Sequence, residues 1–192
     1  MQPDQDSAGT TSTFFTVDNL PMQDRFAVWK ESISCLFDVD AEKQVREDDF
    51  RTTIRSHLFG SLMLMEVESR QQQWRRGYQQ IVGNGMDHYG IGVYQRGEIE
   101  CETSRGHDRL KPGGILIYDL TQPFTAQTSD HLTLNLVIPR ALLEDHLQHP
   151  DDHCMRFLAP DDPMVQIIRD MVLSLQRNVC ELGHQQAQIF EK

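Results

Sequence analysis

Between residues 87 and 140, short apolar and β-branched runs follow each other closely, each cut off by glycine or proline. Tyr89-Gly90-Ile91-Gly92-Val93-Tyr94 stops at Gln95-Arg96-Gly97 and resumes as Glu98-Ile99-Glu100-Cys101-Glu102. Leu110-Lys111-Pro112-Gly113-Gly114 turns the chain into Ile115-Leu116-Ile117-Tyr118-Asp119, and Gln122-Pro123-Phe124 turns it again. Leu132-Thr133-Leu134-Asn135-Leu136-Val137-Ile138 then alternates with a period of two, until Pro139 stops it and opens a helix through Arg140-Ala141-Leu142-Leu143. Strands this short and this closely spaced predict a β-sandwich or barrel rather than a parallel α/β sheet.

The flanks read differently. Asp18-Asn19-Leu20-Pro21 predicts a helix start, and Phe26, Trp29, Ile33, Leu36 and Phe37 recur at three- and four-residue steps beyond it. The charged run 38–49 reads as a solvated connection, followed by strands over 50–57 and 61–67. Residues 71–76 fit strand or loop equally, and Gly83-Asn84-Gly85 reads as a turn. From Asp161 the period becomes helical: Asp161-Asp162-Pro163 caps a helix whose apolar stripe is Met164, Ile167, Ile168, Met171, Val172, Leu175, Val179 and Leu182. A stripe this continuous must bury itself, either on its own β-domain or half on a second copy.

Composition narrows the partners. The 192 residues suit one domain; 39% hydrophobic against 24% charged describes a globular chain. Only 18 basic residues stand against 29 acidic ones, a net charge of −11, so the chain by itself is not expected to bind nucleic acid. The acidic excess reads as a solubility feature. Residues 1–13 lack the basic start and apolar stretch of a signal peptide and read as a disordered tail. No apolar run approaches the roughly 20 residues that span a bilayer. Cys35, Cys101, Cys154 and Cys180 lie far apart with no C-x-x-C pair, as expected of reduced thiols in a cytoplasmic protein.

The ordered set of strand, Gly97, strand, Leu-x-Pro-Gly, strand ending in Asp119, Pro123, strand and Ile-Pro-Arg resembles the sensor domain of AraC-type transcription regulators. Phe26 and Trp29 on a helix, Phe50, Gly60-Ser61-Leu62 and the pair Arg75-Arg76 extend the resemblance over roughly residues 20 to 185. It implies a mainly β fold with helices, a cupin-like jelly-roll barrel over 14–160 with an N-terminal helix, and a C-terminal amphipathic helix over 161–192 that pairs subunits. The dimerisation residues would then be Ile168, Met171, Val172, Leu175 and Val179. A helix-turn-helix DNA-binding domain is expected downstream, so DNA would be a partner only through that further domain.

Cupin enzymes of this outline hold a metal through histidines, so metal chemistry is the first alternative. The turn framework Gly106, Pro112, Gly113 and Gly114 is present, but Ile117 stands where a ligand is needed, and His88 is followed by no second histidine. His146, His149, His153 and Cys154 are the densest set of potential ligands, yet Pro150 ends the helix that would align His146 with His149. No metal, cofactor or catalytic set is therefore expected. Gly83-x-Gly85 and Gly90-x-Gly92 enter a strand instead of opening a helix, which is no phosphate cradle. A small-molecule effector remains. Trp74, Tyr89, Tyr94, Tyr118, Met63 and Met65 are candidate walls of a pocket, with Arg75 or Arg76 to clamp a carboxylate. The competing readings are a cupin-type small-molecule enzyme with an unconventional histidine site, and a scaffold with a filled interior.

Overall fold

The computed structural model describes residues 10–103 and 106–182, together with residues 186 and 189. In chain order it runs β1 (Thr10–Thr16), α1 (Met22–Ile33), β2 (Asp38–Asp40), α2 (Lys43–Asp48), β3 (Thr52–Phe59), β4 (Leu62–Ser69), β5 (Gln72–Arg76) and α3 (Tyr78–Asn84). It continues through β6 (His88–Arg96), β7 (Ile99–Thr103), β8 (Gly106–Leu110), β9 (Ile115–Asp119), β10 (Phe124–Thr128), β11 (His131–Pro139), β12 (Arg156–Leu158) and α4 (Pro163–Asn178). The strands form two antiparallel sheets in a jelly-roll-like arrangement that does not close into one continuous barrel. One sheet has the order β1-β3-β4-β11-β6-β9-β12 and the other β2-β5-β10-β7-β8.

Period-two alternation divides each strand of the larger sheet between two cores. Leu62 and Leu64 of β4, Val93 of β6, Ile115 of β9 and Leu134 of β11 face α4, where Val165, Val172 and Val179 pack against them. The opposite face, with Tyr94 of β6 and Leu116 of β9, meets Ile99, Cys101 and Ala126 of the smaller sheet. Burial on both faces explains why 115–118 is apolar throughout instead of alternating. A third cluster joins Phe26 and Trp29 of α1 to Val39, Val45 and Phe50. Gly97 (φ 80°) makes the β6–β7 turn, where a Cβ would collide with the backbone of Asp130 and His131.

Several local readings change. The tail expected through residue 13 is cut short because β1 starts at Thr10 and pairs along its whole length with β3; residues 1–9 lie outside the described residues. The charged run 38–49 is no mere connection: Val39 pairs with Trp74, and Val39, Ala41 and Val45 are buried beneath its charges. Residues 72–76 are a strand, and the turn expected at 83–85 is the end of α3, with Gly85 (φ 60°) as its left-handed cap. Pro139 opens only a 3-10 turn, Arg140–Leu142, instead of a helix. The C-terminal helix has Asp162 as its cap, accepting from the Met164 amide, and ends in a 3-10 turn at Val179–Glu181.

Candidate functional site

Between the two sheets lies a cavity of about 130 Å³ whose walls are almost entirely apolar and aromatic. A wider groove of about 500 Å³ runs over the outer face of the smaller sheet, but its floor is solvent-facing polar chains such as Gln73, Arg75 and Glu102. The inner cavity is the better candidate for a ligand site, because apolar and aromatic walls are what small-molecule pockets present.

Each wall follows from a local rule. On β5, alternation turns Trp74 inward and Arg75 outward. Trp29 of α1 meets Trp74 edge to face at 6.1 Å, and Phe37 meets it at 5.5 Å with an interplanar angle of 90°. Both indole N–H groups are satisfied within the wall: Trp29 Nε1 donates to Gln72 Oε1 (2.8 Å) and Trp74 Nε1 to Thr128 Oγ1 (3.1 Å). These bonds fix two large planar surfaces. From the larger sheet come Met65, Tyr94, Tyr118, Thr133 and Asn135. Gly90 is what admits Tyr118: a Cβ there would collide with the phenol Cζ, while one on Gly92 would sit 3.0 Å from Asn135 Oδ1. Both glycines thus serve close packing, and the ring that Gly90 seats becomes part of the cavity wall.

The polar end is uncharged. Tyr118 donates weakly to Asn135 Oδ1 at 3.5 Å, and Asn135 Nδ2 donates to Thr133 Oγ1 at 3.0 Å. Burial pushes the Tyr94 and Tyr118 hydroxyls up, so both stay protonated. His131 lies against Trp74 and Tyr94, and its Nδ1 donates to Ser129 O at 2.9 Å. Burial holds its pKa below the ordinary histidine range, leaving a neutral ring with its lone pair on Nε2.

The AraC-binding-like domain model matches residues 29–190. The chain belongs to the AraC-binding-like domain family. Its fold is that of the sensor domain of AraC-type regulators, and it superposes on the AraC-like transcriptional activator CuxR with a TM-score of 0.83. That likeness is 19% identical, covers 93% of this chain and 66% of the activator, and speaks for the fold alone. A protein of Bacillus sp. strain OxB-1, described as an uncharacterized protein in the nit 5′ region, is 22% identical over 112 residues, 58% of this chain and 43% of that protein. This chain thus spans less than half of that relative and just under two thirds of the activator.

In this AraC-binding-like domain, four of the residues expected around a pocket come together: Trp74, Tyr94, Tyr118 and Met65 all line the cavity. Met63 faces the same way on β4 but lies nearer the β3–β4 hairpin, outside the lining. Arg75 points to solvent and bonds Asp38 at 2.5 Å. That bond and the Lys30 ammonium at 3.2 Å hold the Asp38 carboxyl below its usual range. Arg76 is buried, with Nε on Leu120 O and Nη1 on Leu36 O, both at 2.7 Å, so it is committed to backbone carbonyls and clamps nothing in the cavity. Tyr89 lies five residues before Tyr94, an odd step that puts it on the α4 side of β6. There the Arg140 guanidinium stacks 4.6 Å above its ring.

Arg140 also donates to Asp119 Oδ2 (2.5 Å), Asp87 Oδ1 (2.7 Å) and the Tyr89 hydroxyl (2.5 Å), while Tyr89 donates to Pro150 O (2.8 Å). The strand-ending aspartate and the Ile-Pro-Arg motif of the sequence are therefore one buried network. It ties the ends of β6, β9 and β11 to the turn at Pro150–His153. Among the described residues no group of three or more His, Cys, Asp or Glu lies within metal-binding reach. Ile117 packs into the α4 core, His146 closes a 3-10 turn and His149 adopts a left-handed φ of 56°, so the two histidines share no helix face.

Sequence reasoning overlooked Trp29, Phe37, Phe124, His131, Thr133 and Asn135 as cavity residues. For the last two the only signal was the shared face of β11 that Thr133 and Asn135 occupy; that this face points inward was decided by the strand's place at the centre of its sheet. The aromatic set had none, because helix periodicity reports burial and not what the buried face encloses.

Proposed function

We propose that this domain is the effector-sensing and dimerisation module of an AraC-type DNA-binding transcription regulator, cytoplasmic and without catalytic activity of its own. The carrying observation is the aromatic cavity between the sheets, walled by fixed rings and lined by no charged group among the described residues. Away from it, buried Arg140 and Asp119 neutralise each other, which supports a structural role for that pair in place of acid–base chemistry. DNA contact belongs to a helix-turn-helix domain beyond this chain, in keeping with the partial coverage of the activator.

Pairing of subunits runs through α4, but on a face displaced from the sequence expectation. Val172 and Val179 are buried on the domain's own sheet, and Ile168 and Leu175 are half-buried beside them. Met164, Ile167 and Met171 form the stripe left open, at 61%, 52% and 67% exposure. The dimer face we assign is this outer stripe. The test fuses the chain to a monomeric helix-turn-helix domain that represses a reporter only when paired. Repression that is lost in Met171→Glu, with unchanged circular dichroism, supports the assignment. A fusion that stays monomeric by sedimentation and silent on the reporter overturns it.

A further inference from the structure

We infer that the effector is an uncharged molecule about one aromatic ring in size, carrying a single neutral polar group, and that carboxylates and ammonium ions are excluded. The inference rests on the cavity being the sensing site. The volume gives room for one ring: about 130 Å³ is close to the roughly 150 Å³ of an apolar protein cavity that accepts benzene. Shape is set by Trp29, Trp74 and Phe37: the Trp74 ring stands edge to face with each of the other two, and such planar walls enclose a flat body better than a globular one.

Charge decides the class. Among the described residues no Asp, Glu, Lys or Arg lines the cavity, and His131 is neutral there. The two arginines placed to receive an acid are spent elsewhere, Arg75 on Asp38 outside the sheet and Arg76 on carbonyls. An ion entering would lose its hydration and meet no counter-charge, which costs far more than ring burial returns. A neutral polar group, by contrast, finds partners. The Tyr94 hydroxyl makes no hydrogen bond among the described residues, and the Tyr118 hydroxyl has only its long contact with Asn135. Such groups favour a ligand that can accept from them.

The chain supplies its own reporter, since its two tryptophans, Trp29 and Trp74, both line the cavity. Benzyl alcohol and benzamide, titrated at pH 7.5 with tryptophan emission and calorimetry, are expected to saturate near or below ~1 mM. Benzoate and benzylammonium, of the same ring size but charged, are expected to bind at least ~100-fold more weakly. Tyr94→Phe should weaken the neutral pair about tenfold. Ala126→Leu, or the smaller Ala126→Val, should abolish their binding with unchanged far-ultraviolet circular dichroism. Charged ligands that bind as tightly as neutral ones, at a site still closed by Ala126→Leu, overturn the class while leaving the cavity as the sensing site. Neutral binding untouched by both Ala126 substitutions places the ligand elsewhere and overturns the cavity reading itself. No saturation by either neutral compound overturns the class, whatever the reporter fusion shows of pairing.

Discussion

A single side chain, Tyr118, shows how residue-scale sterics shape this site. Its ring occupies volume that only a glycine at position 90 leaves open, so Gly90→Ala must displace the ring or the strand. Overpacking of this kind costs about 1–3 kcal/mol, read as a lower urea midpoint. The same substitution in a Tyr118→Ala background should cost markedly less, a coupling that vanishes if the glycine serves only backbone conformation. His131 makes a pH-dependent contribution. Its folded pKa is depressed, so the unfolded chain binds the proton more readily, and stability present above the unfolded value near 6.5 is lost as pH falls below it. Neighbouring Asp130 opposes the depression and Arg96 adds to it. Between pH 7.5 and 5.0 the loss from this ring reaches at most about 2 kcal/mol. Urea unfolding of His131→Gln should show that much less acid sensitivity; an unchanged slope would mean the ring titrates freely.

At the scale of elements, α4 carries two apolar stripes that no single partner can cover. Val165 and Val172, with Val179 of the 3-10 turn that follows, recur every seven residues and seal the outer face of the larger sheet. Truncating Val172→Ala should therefore lower stability by about 1–3 kcal/mol through lost burial and a residual cavity. Met171→Ala, one residue away on the open stripe, should change the unfolding free energy of the monomer by no more than about 0.5 kcal/mol. Dilute-solution thermal melts separate the two, and equal losses would mean that both stripes are packed. A similar division explains the segment 38–49, from β2 through α2, where a run rich in Asp, Glu, Lys and Arg still buries Val39, Ala41 and Val45 in one cluster with Trp29 and Phe50. Charge density along a segment records its solvent face, and three small apolar residues were enough to anchor the other.

The molecule as a whole is held at one end by the Arg140 network, which joins three strands of the larger sheet to the turn at Pro150–His153 and so to β12 and α4. Asp119 is fully buried, so removing its partner leaves an uncompensated charge. Arg140→Ala should cost about 3–5 kcal/mol in chemical denaturation. Arg140→Leu combined with Asp119→Asn should recover much of that loss, because no isolated charge remains inside. A double variant as unstable as Arg140→Ala would show that the guanidinium acts by packing on Tyr89 and not by neutralising Asp119.

Glycine and proline punctuation, strand alternation and the 3.6-residue period are local properties, and they were enough to read the β-rich class, α1, α4 and the order of β6, β7, β9 and β11, while the polar β8 and the short β10 passed for loop. Alternation also contained more than was first drawn from it, since Tyr89 and Tyr94, or Trp74 and Arg75, cannot face the same side of an unbroken strand. What period two cannot give is which side is inside, because both faces of the larger sheet are covered and either parity fits an apolar wall. That choice came only when β4, β6 and β11 paired and α4 settled on one face, sending Met65, Tyr94 and Asn135 to the other. The destinations of Arg75 and Arg76 were likewise fixed by partners distant in sequence, Asp38, Leu36 and Leu120, brought near only by sheet pairing. The uncharged character of the cavity therefore belongs to the tertiary structure.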